Sequence, residues 1–274
     1  MTEPLELPDH YIVQRWRNDF LSLNQARLDV ARKEMTSRQR VVLDILPILL
    51  HTNHTRLPGY VSNKVPAGVL GFNPAAIHRE ALQNVARGLI LGSQPRERHI
   101  LGIYLMGSIG SIAQSKNSDL DVWLCHDESL SEEALAALQD KCTRIEKWAD
   151  QQGCELHFFL MNLAHFREGQ HRSADGEDCG STQHLLLLDE FYRTAVYLAG
   201  ATPRWWITPL RYEAKAQQYW NQLVDEHRVD KRQWLDVGEI PTIPADEFVG
   251  AGLWHKDATS HAGRIQLNRP KTGG

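Results

Sequence analysis

The chain has 274 residues, and 42% of them are hydrophobic, which is enough to build the core of one large domain or two modest ones. Its 30 basic and 34 acidic residues give a formal net charge of -4. This balance argues against nucleic acid or an acidic membrane surface as a partner of the whole molecule. Any binding of phosphate must therefore be local.

Signals for secretion and membrane insertion are missing from the sequence. No run approaches the ~18 consecutive apolar residues of a membrane span, and the N-terminus MTEPLELPDH is acidic where a targeting peptide is basic. No CxxC pair occurs among the four cysteines, which favours reduced thiols over thiolate metal sites. We therefore expect a cytoplasmic protein without a membrane span.

Residues 1–95 are predicted to form a helical N-terminal extension. A mixed polar helix is expected over 11–33, and apolar residues on one face indicate a second helix over 37–50, which Pro47 can kink or shorten. The stretch HTRLPGYVSNKVPAGVLGF is rich in proline and glycine and predicts an ordered surface loop. A further helix is expected over 74–89.

Residues 96–254 are predicted to form an α/β (α+β) domain, a small mixed sheet flanked by helices. The segments HILGIYLMG, DLDVWLC and CELHFFLMN are apolar and β-prone, so each predicts a strand. Helices are expected to open at 108–111 and to cover 129–150, where Ser129 and Glu132 fit a capping box, and 181–198. RWWITPL predicts an edge strand, and 213–226 a last helix.

Carboxylates on two of these strands form the main candidate site. Asp119 and Asp121 are two residues apart, so on a strand they project from the same face. Glu155 begins the next strand and would complete a triad if that strand pairs beside them. Hard oxygen ligands of this kind suit Mg²⁺, and three acids can hold the two ions of an in-line displacement at phosphorus.

A glycine-serine segment at the end of the first strand is the candidate phosphate site. Gly107 allows the backbone to pass close to a ligand. Ser108 and Ser111 add hydroxyl groups, and the helix expected here would offer free N–H groups to a polyphosphate.

The order of these motifs resembles the nucleotidyltransferase superfamily of polymerase-β type. Within it, the strings MGSIGSIAQSKNSDLDVWLCH, GEDCGSTQHLLLLDEFYRTAVYLAG and LPGYVSNKVPAG resemble the N-terminal catalytic part of class I bacterial adenylate cyclases. The resemblance implies a polymerase-β-like fold, ATP as substrate, Mg²⁺ (or Mn²⁺) as cofactor, and cyclic AMP with pyrophosphate as products. It assigns phosphate and metal roles to Gly107, Ser108, Asp119 and Asp121, with Glu155 as the third acid.

The last twenty residues depart from this resemblance. The tail HKDATSHAGRIQLNRPKTGG (255–274) is polar and basic, which predicts disorder and indicates a chain truncated relative to the family. Two other functions therefore stay open: transfer of a nucleotidyl group to another acceptor, and an inactive nucleotide-binding remnant. Regulatory protein partners cannot be read from the sequence.

Several other residues have two interpretations each. Gly180, Ser181 and Thr182 either face the phosphates from the far side of the cleft or cap the following helix. Lys116 and Lys64 either neutralise phosphate or are solvated. His157 is either a partner of Glu155 or a packed histidine, and Arg193 an ion-pair partner of a core acid or a phosphate ligand. Trp205 and Trp206 either stack on a purine or pack.

Overall fold

The computed structural model describes residues 5–92, 95–111, 114–115, 118–168 and 181–238. Helix α1 (His10–Glu34) begins at Asp9, whose carboxylate accepts a hydrogen bond from the Ile12 amide at 2.8 Å. Helix α2 (Ser37–His51) begins at Thr36, which forms a capping box with Gln39. Both predicted helices are confirmed, and α2 continues through Pro47. All residues from 42 to 51 are buried, so α2 is the central helix of the core.

Four strands form the main sheet: β1 (Ile100–Met106), β2 (Leu120–His126), β3 (Leu156–Asn162) and β4 (Val196–Gly200). Their order is β3-β2-β1-β4. Strand β1 runs antiparallel to β2 and to β4, whereas β2 and β3 are parallel because helix α4 (Glu132–Gln151) connects them. The predicted α/β class with a small mixed sheet flanked by helices is confirmed.

The two faces of the sheet contact different cores. Leu105 of β1 and Val122 of β2 pack with α2 and α4 in the larger core. Tyr104 and Met106 point the other way and pack with Phe191 of helix α6 (Ser181–Thr194). Successive strand side chains alternate between faces, so the apolar runs in β1 and β2 reflect burial on both sides.

Helix α1 covers the free edge of strand β4. The Asn24 side-chain amide donates to the Tyr197 carbonyl at 2.6 Å and accepts from the Tyr197 amide at 2.7 Å. Arg27 of the same helix donates to the carbonyls of Thr194 and Ala195 at the end of α6. Side chains of α1 thus satisfy backbone groups at this edge.

Shorter elements complete the described chain. They are α3 (Ala76–Val85), α5 (Leu163–Arg167), α7 (Ala216–Asp225), the parallel pair β5 (Thr202–Pro203) and β6 (Trp234–Leu235), and 3₁₀ helices over Arg204–Ile207, Leu210–Lys215 and Lys231–Gln233. Among the described residues, no helix combines the length and the apolar character that crossing a bilayer requires. The described cysteines, Cys125, Cys142 and Cys154, are buried free thiols.

Two predicted elements are wrong, and a predicted helix ends early. Residues 107–111 form turns and a bend and not the start of a helix, because Gly107 and Gly110 have φ values of +78° and +70°. The helix expected over 181–198 ends at Thr194, and the next residues pair with β1 as β4. RWWITPL contains a 3₁₀ helix rather than an edge strand, since prolines precede and follow it and its indoles pack inward.

Smaller differences concern the ends of helices. Helix α4 is capped by Ser131, whose hydroxyl accepts from the Ala134 amide at 3.3 Å, and not by Ser129. Ser129 instead hydrogen-bonds Asp127 in the preceding turn. The predicted tail at 255–274 lies outside the described residues.

Candidate metal and phosphate site

The start of β2 and the start of β3 bring the candidate acids together. Asp119 and Glu155 each stand one residue before their strand, and Leu120 pairs with Leu156 in the parallel register. The Leu120 amide donates to the Glu155 carbonyl at 2.9 Å, which holds the two strand entrances side by side. Asp121 pairs in turn with His157. The acids therefore meet at one end of the sheet.

Three of these side chains are close enough to hold one metal ion. Ligand atoms of Asp119, Glu155 and His157 all lie within 4.8 Å of one another, and all three residues are exposed. His157 Nε2 is 3.3 Å from Glu155 Oε1. Of the two interpretations of His157, the structure supports the partner of Glu155. His157 is two residues from Glu155, and this spacing on a strand predicts that the two side chains project from the same face.

Asp121 lies beside this group in a less exposed setting. It pairs with Met106 of β1 and so shares the sheet face of Met106 and Tyr104. Burial raises the pKa of the Asp121 carboxyl, His157 opposes that rise, and the negative charges of Asp119 and Glu155 add to it. This charge environment indicates that a cation bound by the neighbouring acids would also attract Asp121.

The turn after β1 lies directly against the acids. A Cβ atom added to Gly107 would stand 3.9 Å from Asp121 Oδ2. The Ser108 hydroxyl donates to Ser118 Oγ at 3.0 Å, which ties the turn to the residue before Asp119. The glycine and serine predicted to hold phosphate therefore lie next to the predicted metal ligands.

The backbone of this turn differs from the expected row of free N–H groups. The Ser111 amide donates to the Ser108 carbonyl at 3.0 Å, and the Gly110 amide donates to Gln114 Oε1 at 2.7 Å. The Ser111 hydroxyl also donates to the Ser108 carbonyl, at 2.6 Å. These two amides stabilise the turn, because the described residues 107–111 form turns and a bend and not a first helical turn with free amides.

The other candidates for phosphate binding lie outside the described residues or in an exposed loop. Lys116 and Gly180 lie outside the described residues, as do the side chains of Ser181 and Thr182 at the start of α6. Lys64 is exposed, and its amide donates to Ser62.

Arg193 lies near the end of α6, and the tryptophan pair lies in the 3₁₀ helix Arg204–Ile207. Arg193 forms an ion pair with Asp189, one turn earlier on the helix, as one of its two interpretations predicted. Trp205 stacks on Tyr192 with ring centroids 4.7 Å apart. The Trp206 indole N–H donates to the Trp16 carbonyl at 2.8 Å. Both indoles are thus held by packing, and both line a cavity beside α1.

Fold and site together define a mixed α/β protein with a metal-competent acidic cluster beside a glycine-serine turn. Residues 12–206 match the family model described as the adenylate cyclase NT domain. The chain belongs to this family, as its sequence motifs predicted.

Curated relatives agree with the family match. An adenylate cyclase of Yersinia pestis is 42% identical over 236 residues, which cover 85% of this chain and 28% of that relative. An adenylate cyclase of Escherichia coli K12 is 41% identical over 236 residues, with the same coverage. The chain therefore spans little more than a quarter of the length of these relatives.

Among solved structures, the crystal structure of a toxin-antitoxin with AMP-PNP is 14% identical and covers 48% of this chain and 77% of its own. Its TM-score is 0.24.

Proposed function

We propose that this chain carries the catalytic site of an adenylate cyclase, which converts ATP to 3',5'-cyclic AMP and pyrophosphate. The observation that supports this most directly is the group of Asp119, Glu155 and His157, with Asp121 between it and the Gly107–Ser108 turn, in a chain of the adenylate cyclase NT family. We assign the sheet and turn to the nucleotidyltransferase fold of polymerase-β type.

The side chains present fit a divalent cation. Asp119 and Glu155 offer hard carboxylate oxygens, which suit Mg²⁺, and the imidazole of His157 in the same group is compatible with Mn²⁺. Asp121 adds a third carboxylate beside them. When bound, the ion supplies charge stabilisation for the attacking and leaving oxygens of an in-line displacement.

The protein residues have separate tasks in this reaction. The ribose 3'-oxygen forms a bond to the α-phosphorus as the bond from that phosphorus to the bridging oxygen of the β-phosphate breaks. One of the three carboxylates accepts the proton of the 3'-hydroxyl, and pyrophosphate leaves with the electron pair of the broken bond. Ser108 and Ser111 contact the phosphates, and we extend the same role to Lys116, Gly180, Ser181 and Thr182.

Product analysis tests this proposal. The protein incubated with ATP and Mg²⁺ should release cyclic AMP and pyrophosphate in equal amounts, and chelation of the ion should stop both. AMP attached to an acceptor would contradict cyclisation and favour the other nucleotidyl transfer reaction.

A further inference from the structure

An aromatic cavity of about 230 Å³ lies between α1, the end of α6 and the 3₁₀ helix at Arg204–Ile207. Small-molecule sites usually occupy roughly 300–1,000 Å³, so this cavity suits one fused ring system more than a large ligand. Six rings line it: Phe20, Tyr104, Phe191, Tyr192, Trp205 and Trp206.

One wall of the cavity belongs to the sheet face that also carries Asp121. Tyr104, which lines it, shares that face with Met106, and Met106 pairs with Asp121. Asp121 is therefore on the strand next to Tyr104, two residues along from the partner of Tyr104 in the sheet.

The glycine-serine turn joins the two places. Its first residues, Gly107 and Ser108, lie against Asp121 and Ser118, whereas its last, Gly110 and Ser111, line the cavity. Because the Ser111 amide closes the turn onto the Ser108 carbonyl, the two ends are separated by the width of one turn, less than about 7 Å between Cα atoms. The cavity thus lies at one end of the turn and the acids lie at the other, as the base and the phosphates do in a nucleotide.

Polar groups in the cavity wall already have partners in the protein. Asn24 is bonded to both backbone groups of Tyr197, and Arg27 to the carbonyls at the end of α6. The wall consequently offers ring faces and guanidinium charge, which hold a flat heteroaromatic ring by stacking.

We infer that this cavity binds the purine base of the nucleotide, with Trp205 as the main stacking residue. Trp205 is only partly buried and stacks on Tyr192 with its rings 26° from parallel, so one indole face is already supported. This inference rests on the proposed function for the identity of the nucleotide, and it adds the site of the base.

Calorimetric titration of the whole chain with ATP and with inorganic tripolyphosphate, both with Mg²⁺, tests the inference. Trp205→Ala should weaken ATP binding about tenfold, as expected for a lost stacking contact, and leave tripolyphosphate binding unchanged. Trp148→Ala is the matched control, because Trp148 is partly buried against the core on the other sheet face. Equal losses for both ligands, or no loss for ATP, would overturn the inference.

A second variant protects this test against misfolding. Leu23 lines the cavity but is 44% exposed, so Leu23→Trp adds bulk without removing a core side chain. It should reduce ATP binding and spare tripolyphosphate. Unchanged ATP affinity in this variant would count against the cavity as the base site.

Adenosine separates this inference from the proposed function. Saturation-transfer NMR should detect adenosine binding that Trp205→Ala removes and Asp119→Ala preserves. Loss of the adenosine signal in Asp119→Ala but not in Trp205→Ala would refute the base site. If adenosine binds through Trp205 while Asp119→Ala leaves Mg²⁺-tripolyphosphate binding intact, the metal roles of the proposed function fail and the cavity assignment stands.

Discussion

Asp119 and Asp121 are two residues apart, yet they occupy different environments. Asp119 is exposed and shares its ligand group with Glu155 and His157. Asp121 is further from solvent, and burial raises the pKa of its carboxyl. An exposed acid contributes little to folding, so a change at Asp119 reports on chemistry more cleanly than a change at Asp121.

Asp119→Ala should therefore reduce cyclic AMP formation by about a hundredfold or more, because it removes a metal ligand. The free energy of unfolding in urea should change by less than ~0.5 kcal/mol. Glu128→Ala is the control, since Glu128 is an exposed acid beyond the opposite end of β2. Full activity in Asp119→Ala would refute its assigned role.

Gly200 is a residue whose identity is fixed by the backbone around it. It has φ of +104°, and a Cβ atom there would lie 2.4 Å from the Leu101 carbonyl oxygen and 2.6 Å from Gly102 Cα. Both atoms belong to β1, so a side chain would push β4 away from its partner strand.

Gly200→Ala should lower the free energy of unfolding by about 3 kcal/mol or more, from steric overlap added to an unfavourable φ. Gly71→Ala isolates the second effect: Gly71 also has a positive φ, +63°, but open space around its Cβ position. We expect a loss of ~1–2 kcal/mol there. Equal losses in the two variants, measured by urea unfolding, would contradict the steric argument.

For single residues, the sequence predicted the positions of the acids better than the conformation of the glycine-serine turn. Strand order placed Glu155 beside Asp119, but the ligand group of the structure contains His157 where the predicted triad has Asp121. The hydrogen bonds of the Gly110 and Ser111 amides could not be predicted from the sequence. They depend on the φ values of Gly107 and Gly110, and glycine adopts positive and negative φ almost equally readily.

Helices and strands with a clear period were predicted well. Helices α1, α2 and α4 and strands β1, β2 and β3 match their predicted segments to within a few residues. The junction of α6 and β4 was missed because Val196 also continues the helical period of Leu188 and Tyr192. Pairing of β4 with β1, a contact distant in sequence, decides the conformation there.

The capping box of α2 gives a test at the level of one element. Thr36→Ala should reduce the free energy of unfolding by ~1 kcal/mol, because the Gln39 amide at the helix start loses its acceptor. Thr36→Ser keeps the hydroxyl and should remain within ~0.5 kcal/mol of the parent. Thermal or urea unfolding measures both, and an unaffected alanine variant would show that the cap adds nothing.

Lys141 connects distant parts of the whole molecule. This residue of α4 is 1% exposed, and its ammonium group donates to the Thr52 carbonyl at 3.2 Å and to Asn53 Oδ1 at 2.7 Å. Both acceptors belong to the segment that follows α2. Burial lowers the pKa of Lys141 to about 8.

A lowered lysine pKa makes stability depend on pH in a defined direction. Below pH 8 the folded protein bears the full cost of a buried charge, about 3 kcal/mol for a shift from 10.5 to about 8. Between pH 8 and 10.5 the unfolded chain binds more protons than the folded one, so the cost falls as pH rises.

Relative to Lys141→Met, the parent protein should therefore gain about 2 kcal/mol in free energy of unfolding between pH 7 and pH 10. Taking the difference between the two proteins cancels the titration of tyrosines and cysteines that they share. Urea unfolding at several pH values measures it. A difference that stays constant with pH would show that Lys141 titrates normally in the folded state.

The helical extension and the sheet share one core. Leu28 of α1, Leu46 of α2, Leu105 of β1 and Ile145 of α4 belong to the same buried cluster. The sequence predicted the extension as helices but not this packing, because helical period shows which face is buried and not what covers it.

The amide of Asn24 has a consequence beyond the single chain. By bonding both backbone groups of Tyr197, it occupies the position that a fifth strand would take beside β4. An uncovered strand edge invites pairing with another copy and growth into aggregates. The Asn24 carboxamide thus blocks the pairing of β4 with a strand of another copy at Tyr197.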